Sequence, residues 1–409
     1  MGSLGSGAGA SLAVGRLVEA SWGPGIGLES SAQLDKRIGV RSAVAKRGRF
    51  IVVPTLTLRA TMYKLTTACF AVFALATGCS TLESPSMTTA ETDPRWLVYP
   101  TSEGPGFGKR VVLVAGDEEY RSEEALPMLA RMLSGHHGFE CVVLFSQDPE
   151  TGEIDPNQSS HIPGLHLVDD ADLLVLDLRF RELPDDDMAH IMDYANAGRP
   201  LIGIRTSTHA FNYPSDSPSP FAKWTWTSAD PKGGFGTEFL GETWVAHHGH
   251  HGKQATRGVP NPELAQHPVL GGVSDVFGPT DVYAVRSLPE DAQVLLFGSV
   301  LDGMTPDSSA IDGPKNNPMH PIAWLRSRDA GQDSPQRIFS TTIGAAQDWS
   351  SEDLRRLFLN ASFWTLGMED KIPEQGLDAD VIGRWEPSAF GFDGYRKGLV
   401  PMDYQDGTP

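Results

Sequence analysis

Cysteine is almost missing from this chain. Three occur in 409 residues, Cys69, Cys79 and Cys141, with no CxxC spacing, so neither a disulfide framework nor a cysteine-based zinc site is expected. Cys141, inside the apolar stretch Phe139–Leu144, reads as a small buried core residue. Basic residues are scarce over most of the length. Residues 1–78 hold nine Lys/Arg and three acids, leaving 24 basic and 49 acidic residues and a net charge of −25 in 79–409. A phosphate backbone is bound by clustered Lys/Arg that displace counterions, so nucleic acid is disfavoured as a partner. Also missing are internal repeats and any apolar run near the ~20 residues of a membrane-spanning helix. The 331 residues of 79–409 are enough to bury a core without staples.

What is present begins with a leader. Met62-Tyr63-Lys64 precedes an apolar run over 65–78 that ends Leu75-Ala76-Thr77-Gly78-Cys79-Ser80. A basic start, a short apolar segment and small residues before a break match a secretory signal. The Cys79 context resembles a bacterial lipobox, which predicts diacylglyceryl transfer to Cys79, a membrane partner through that lipid, and residence in the cell envelope or periplasm. The rival reading is a plain signal peptide or an N-terminal anchor. Residues 1–61, Gly/Ser-rich, basic and aperiodic, are expected to be disordered, with translation beginning at Met62. Residues 79–104 are expected to be a tether, since 80–94 is rich in Ser, Thr, Glu and Pro.

From Lys109 strand and helix signals alternate, as a parallel sheet requires. Val111–Gly116 is a continuous apolar run closing on glycine, the pattern of a strand buried on both faces. Apolar positions at helical spacing over 122–133, with Glu123 and Glu124 in the first turn, predict a helix. Strands are expected at 141–145, 172–176, 200–204, 294–297 and 337–342, and helices at 184–196 and 352–366. The main domain is placed at 105–368. A Pro/Gly-rich tail, 369–409, is expected to pack on its surface.

In open parallel sheets ligands bind beyond the carboxyl ends of the strands. Three such ends are dense in polar groups: Asp117–Arg121, Arg179-Phe180-Arg181, and Arg205-Thr206 with His209. Arg205 offers a planar donor fork for a carboxylate or a sugar, or a structural ion pair with Glu118 or Glu119. His209 is a general base if its proton affinity is lowered by a neighbouring arginine, or a hydrogen-bonded helix residue. Glu118 and Glu119 suit a divided acid–base pair, or the cap of the next helix. His247-His248-Gly249-His250-His251 suggests a divalent metal such as zinc, with His247 and His248 as ligands and His209, Asp281 and His320 as further donors. Adjacent side chains on an extended segment point to opposite faces, so all four cannot reach one ion, and hydrogen-bonded loop histidines are the other reading. Aromatics near these groups (Phe180, Phe211, Tyr213, Trp224, Trp226, Trp244, Tyr283) suit either a sugar face or an ordinary core.

Several stretches together resemble the ThuA-like proteins, particularly a branch common in planctomycete-type bacteria. They are Val111–Arg121 (VVLVAGDEEYR), RFRELP at 179–184, GIRTSTH at 203–209, GETWVAHHGHH at 241–251, His267-Pro268, Gly278–Tyr283, Pro321–Trp324 and Thr341–Gly344. The match spans roughly 105–400. It implies a flavodoxin-like three-layer α/β sandwich with a mostly parallel central sheet, akin to class I glutamine amidotransferases. Those enzymes need a cysteine on the turn after Gly-Ile and a nearby base. Here Arg205 follows Gly203-Ile204, and Gly344-Ala345-Ala346 lacks a histidine after the glycine, so glutamine hydrolysis is not expected. The resemblance implies action on a carbohydrate or keto-sugar by isomerisation, elimination or hydrolysis, with Glu118, Glu119, Arg205 and His209 as catalytic candidates. Substrate contacts are assigned to Arg121, Arg179, Arg181, Thr206, Asp281 and Tyr283. The alternative is a non-catalytic sugar-binding envelope lipoprotein.

Overall fold

The computed structural model describes residues 89–409. The leader, Cys69, Cys79 and the 1–61 segment lie outside them.

The apolar strand runs fold as read, into a sheet whose interior strands are hidden on both faces. β1 (Leu97–Tyr99), β2 (Arg110–Gly116), β3 (Glu140–Phe145), β4 (Leu173–Leu178) and β5 (Leu201–Ile204) form one side. β6 (Thr256–Pro260), β7 (Val276–Gly278), β8 (Ala292–Val300), β9 (His320–Arg328) and β10 (Gln336–Thr341) follow. The order is β1-β3-β2-β4-β5-β10-β9-β8-β6-β7. Strands β3, β2, β4, β5 and β10 run parallel. The remaining five pairings are antiparallel. The sheet is therefore mixed: its central strands are parallel, as expected there, and antiparallel strands extend it on both sides. β1 also falls within the expected tether 79–104, where Leu97–Tyr99 pairs antiparallel with β3 and Trp96 is buried.

Strand alternation divides the core in two. Val111, Leu113 and Ala115 face α1 (Ser122–His137) and α3 (Glu352–Thr365), while Val112 and Val114 face α2 (Asp185–Asn196) and the 3₁₀ turn Leu165–Asp170. Three layers result. They leave the carboxyl ends of β2, β4 and β5 at one rim.

The acids of the first turn of α1 do not face water. Glu123 and Glu124 are both 2% exposed, and neither Glu123 oxygen has a hydrogen-bond partner among the described residues. Burial, aided by the neighbouring Glu124, pushes the Glu123 carboxyl from 4.5 up to about 8. The folded form thus keeps a proton that the unfolded chain releases. Stability contributed by the neutral form is present at low pH and lost as pH rises through that window, with a slope of about 1.4 kcal/mol per pH unit. Glu123→Gln is expected to flatten this limb, leaving the variant more stable than the parent in alkaline buffer. Urea unfolding of both proteins across the range checks it. Parallel curves would sink the assignment.

Candidate active site

Each of the three strand tips is bent by a non-glycine residue in the left-handed region: Arg121 (φ 63°), Phe180 (φ 52°) and Arg205 (φ 40°). Such backbone costs on the order of 1–3 kcal/mol per residue and collects at binding and catalytic sites. A fourth, Asp393 (φ 59°), lies in the tail.

Asp117 organises the first tip. Its Oδ1 accepts from the amides of Glu119 (2.7 Å) and Tyr120 (2.8 Å), and its Oδ2 accepts from the Thr206 hydroxyl of the third tip. Thr206, expected at a substrate, is buried with its hydroxyl committed to Asp117 and braces the two turns. Glu118 is held by Arg179 and by Arg181, the latter at 3.0 Å. Arg181 also donates to Ser146 and to the carbonyls of Pro156, Gln158 and Arg179, so both Glu118 and Arg181 tie loops together. Arg121 is fully buried and donates to the carbonyls of Glu118, Glu119 and Gly391. These residues were expected at the ligand; the structure uses their charge to fasten the rim.

Arg205 was expected to orient a substrate. It has no solvent exposure. Its guanidinium lies 4.0 Å from the Tyr120 ring centroid and 4.4 Å from that of Tyr283. It donates to the Thr342 carbonyl at 2.7 Å and approaches Asp281 Oδ1 at 3.5 Å. Arg205 is therefore the floor under the two tyrosines. The hydroxyls of Tyr120 and Tyr283 meet at 3.3 Å, and burial raises both phenols, Tyr120 to about 12.

Above that floor is a small cavity lined by Glu119, Tyr120, Arg179, Phe180, His209, Trp244, His247 and Tyr283. His209 ends the short 3₁₀ turn Arg205–His209, and its ring is walled by Phe180 (5.1 Å), Trp244 (5.7 Å), Trp226 (6.3 Å) and Tyr283 (6.4 Å). Its Nδ1 pairs with the Thr208 hydroxyl at 3.2 Å. Burial first, then the charges of Arg179 and Arg205, lower its pKa well below 6.5. The imidazole is buried in an aromatic box. Arg179, partly exposed, lies over Phe180 (4.4 Å) and 3.9 Å from Glu119. Trp226 and Trp244 continue into an open groove of about 1180 Å³ that includes Lys232, Glu242 and Arg286.

Beside the cavity the histidine-rich loop turns around Asp281. His247 Nδ1 lies 2.8 Å from Asp281 Oδ2 and His251 Nδ1 lies 3.1 Å from Oδ1. His251 Nε2 reaches Glu119 at 3.1 Å. The hydrogen bond to Asp281, together with Glu119, raises the His251 pKa. Burial opposes ionisation of Asp281, but hydrogen bonds from His247 and His251 and the Arg205 charge hold its carboxyl low. His248 was paired with His247 in the sequence reading. It instead faces the Lys315 carbonyl (2.8 Å) and His320 (4.3 Å between centroids). The reason is the alternation of adjacent side chains: the chain reverses at Gly249, where a Cβ would sit 3.0 Å from that of Asp281, and this brings His251 back.

The tail supplies contacts that no sequence signal announced. The Gly391 amide donates to the Glu119 carbonyl at 2.7 Å. Phe390 packs on Tyr120 (5.8 Å) and His251 (5.5 Å). Phe392, 58% exposed, lies 5.1 Å from the Arg179 guanidinium. Cys141, the free cysteine among the described residues, is buried in β3, and the turn after Ile204 carries Arg205, so no thiol stands at the site.

No protein-family model matches the chain, and no curated protein does. Solved structures similar to it include a ThuA-like protein of Bacteroides uniformis, 15% identical, covering 64% of this chain and 93% of that one with a TM-score of 0.39. Another is a ThuA-like protein of Parabacteroides merdae, 12% identical, covering 70% and 98%, with a TM-score of 0.40.

Proposed function

We propose that this chain is an exported, lipid-anchored ThuA-like protein that acts on a carbohydrate or keto-sugar by general acid–base proton transfer. The observation that carries the reading is His209: a buried imidazole enclosed by aromatic rings, facing a small cavity beside a guanidinium and a carboxylate. A general base must be unprotonated at working pH and within reach of the proton it takes. The lowered pKa of His209 favours the unprotonated form, and its ring lines the cavity. Arg179, not Arg205, is the cation in reach of a developing oxyanion. Glu119, not Glu118, is the carboxyl facing the cavity, because Glu118 is consumed by two arginines. The indoles of Trp226 and Trp244 present flat apolar faces to the alternating C–H faces of a sugar ring, and the groove beyond them leaves room for a second unit. Residues 62–79 support export and lipidation at Cys79.

The test is to incubate purified protein with disaccharides and their 3-keto forms and to follow consumption by mass spectrometry. Loss of one substrate class with a defined product supports the enzyme. Ligand-induced thermal stabilisation without consumption, following the mass-action shift expected of a native-state binder, would replace it with a binding protein. Neither response across the panel would end the carbohydrate reading.

A further inference from the structure

We propose that His247, His251 and Asp281 bind one divalent transition-metal ion of the imidazole-preferring kind, zinc being the reference case, at the edge of the His209 cavity. The proposal deepens the reading of that cavity and rests on it only for what the ion faces.

Three observations carry it. One donor atom from each of the three residues lies within 4.8 Å of the others, so a modest contraction would place all three around one ion. Both oxygens of a carboxylate that is 1% exposed are met by imidazole nitrogens, at 2.8 and 3.1 Å, and the two rings are 4.8 Å apart. Finally, Glu119 Oε1 stands 3.1 Å from His251 Nε2 on the far side of the ring. Once the metal displaces the proton between Nδ1 and Asp281, a carboxylate receiving Nε2–H leaves the Nδ1 lone pair for the ion, the outer arrangement that orients metal-bound histidines.

The donor set indicates the ion. Two imidazoles and one carboxylate suit zinc, cobalt or nickel, whereas magnesium and calcium favour oxygen ligands. Three protein ligands leave a coordination position open, as in sites that act on a bound molecule. His247 lines the cavity, so the open side and the His209 box are neighbours. Arg205 works against the ion, lying 3.5 Å from Asp281; Glu119 supplies charge of the opposite sign. Gly249 is what lets the loop close on Asp281.

The experiment titrates Zn²⁺, and Co²⁺ for its ligand-sensitive visible spectrum, into chelator-stripped, untagged full-length protein by calorimetry. One ion per chain is expected. His247→Ala and His251→Ala should each weaken binding by about 100-fold or more, and Glu119→Gln by about 10–100-fold, the usual effect of losing an outer-shell partner. His248→Ala and His250→Ala should leave it unchanged. Should an alanine variant fail to melt cooperatively, His247→Gln and His251→Gln keep a hydrogen-bonding group beside Asp281 and are read instead. Well under one ion per chain on the parent protein, or an equal loss in His248→Ala, would overturn the site. No substrate enters this assay, so a null result leaves the sugar reading standing, and a failed sugar panel leaves this one.

Discussion

Replacing Arg205 with methionine is expected to cost the folded state about 3–5 kcal/mol, the range seen when one member of a buried ion pair is removed. The side chain is fully buried, and its charge is met by Asp281, the Thr342 carbonyl and two tyrosine faces. Methionine fills much of the volume but leaves Asp281 with only the two histidines. It also removes the stacking of a desolvated guanidinium on aromatic rings, itself worth about 2 kcal/mol or more. Lysine should not rescue, because a point charge cannot lie flat between two rings and hold a carbonyl and a carboxylate together. Asp281→Asn in the Arg205→Met background should recover part of the loss, since it withdraws the stranded charge. Urea denaturation of the two single variants and the double variant measures all of this. A loss below about 1 kcal/mol for Arg205→Met would show that the guanidinium is not what holds the tyrosines.

The second large effect is on turnover. His209→Ala is expected to lower kcat by about 10²–10⁴, the usual contribution of a positioned base, while substrate affinity changes little. That split separates a group needed in the transition state from one that only binds. Alanine leaves a hollow among Phe180, Trp226, Trp244 and Tyr283, so His209→Gln, which refills it without a basic nitrogen, should be equally inactive. Turnover within a few-fold of the parent in the glutamine variant would remove His209 from the chemistry. A parallel fall in affinity in both variants would make it a wall of the cavity.

The parallel part of the fold was readable because its strands hold continuous apolar runs near polar tips: Val111–Gly116 before Asp117, Leu173–Leu176 before Asp177 and Arg179, Leu201–Ile204 before Arg205. Of the antiparallel part, only β8 was readable, at Val294–Phe297. β6 reads Thr-Arg-Gly-Val-Pro and β9 opens His-Pro and carries Arg326 and Arg328, so neither shows the pattern of a buried strand. Arg326 is nevertheless buried, held by Asp291 and by the carbonyls of Glu238 and Phe239, partners that no local window contains. For the site, the sequence indicated which tips carry charge, but not which charges turn inward. Glu118 and Glu119 are neighbours of one type, and only the positions of Arg179, Arg181 and His251 distinguish them. His251 over His248 depended on a reversal at Gly249, and Phe390 and Phe392 on contacts far along the chain.

Those last contacts bear on when the cavity exists at all. Arg121 and the Gly391 carbonyl that it holds are separated by 270 positions, and Asp281 and His251 come from stretches in between. Closing so wide a loop is entropically among the later events available to a chain. A partly folded molecule can own the sheet and still lack the tail's packing on Tyr120 and His251. Whatever binds beside those rings is thus coupled to the docking of the tail as well as to the folding of the sheet.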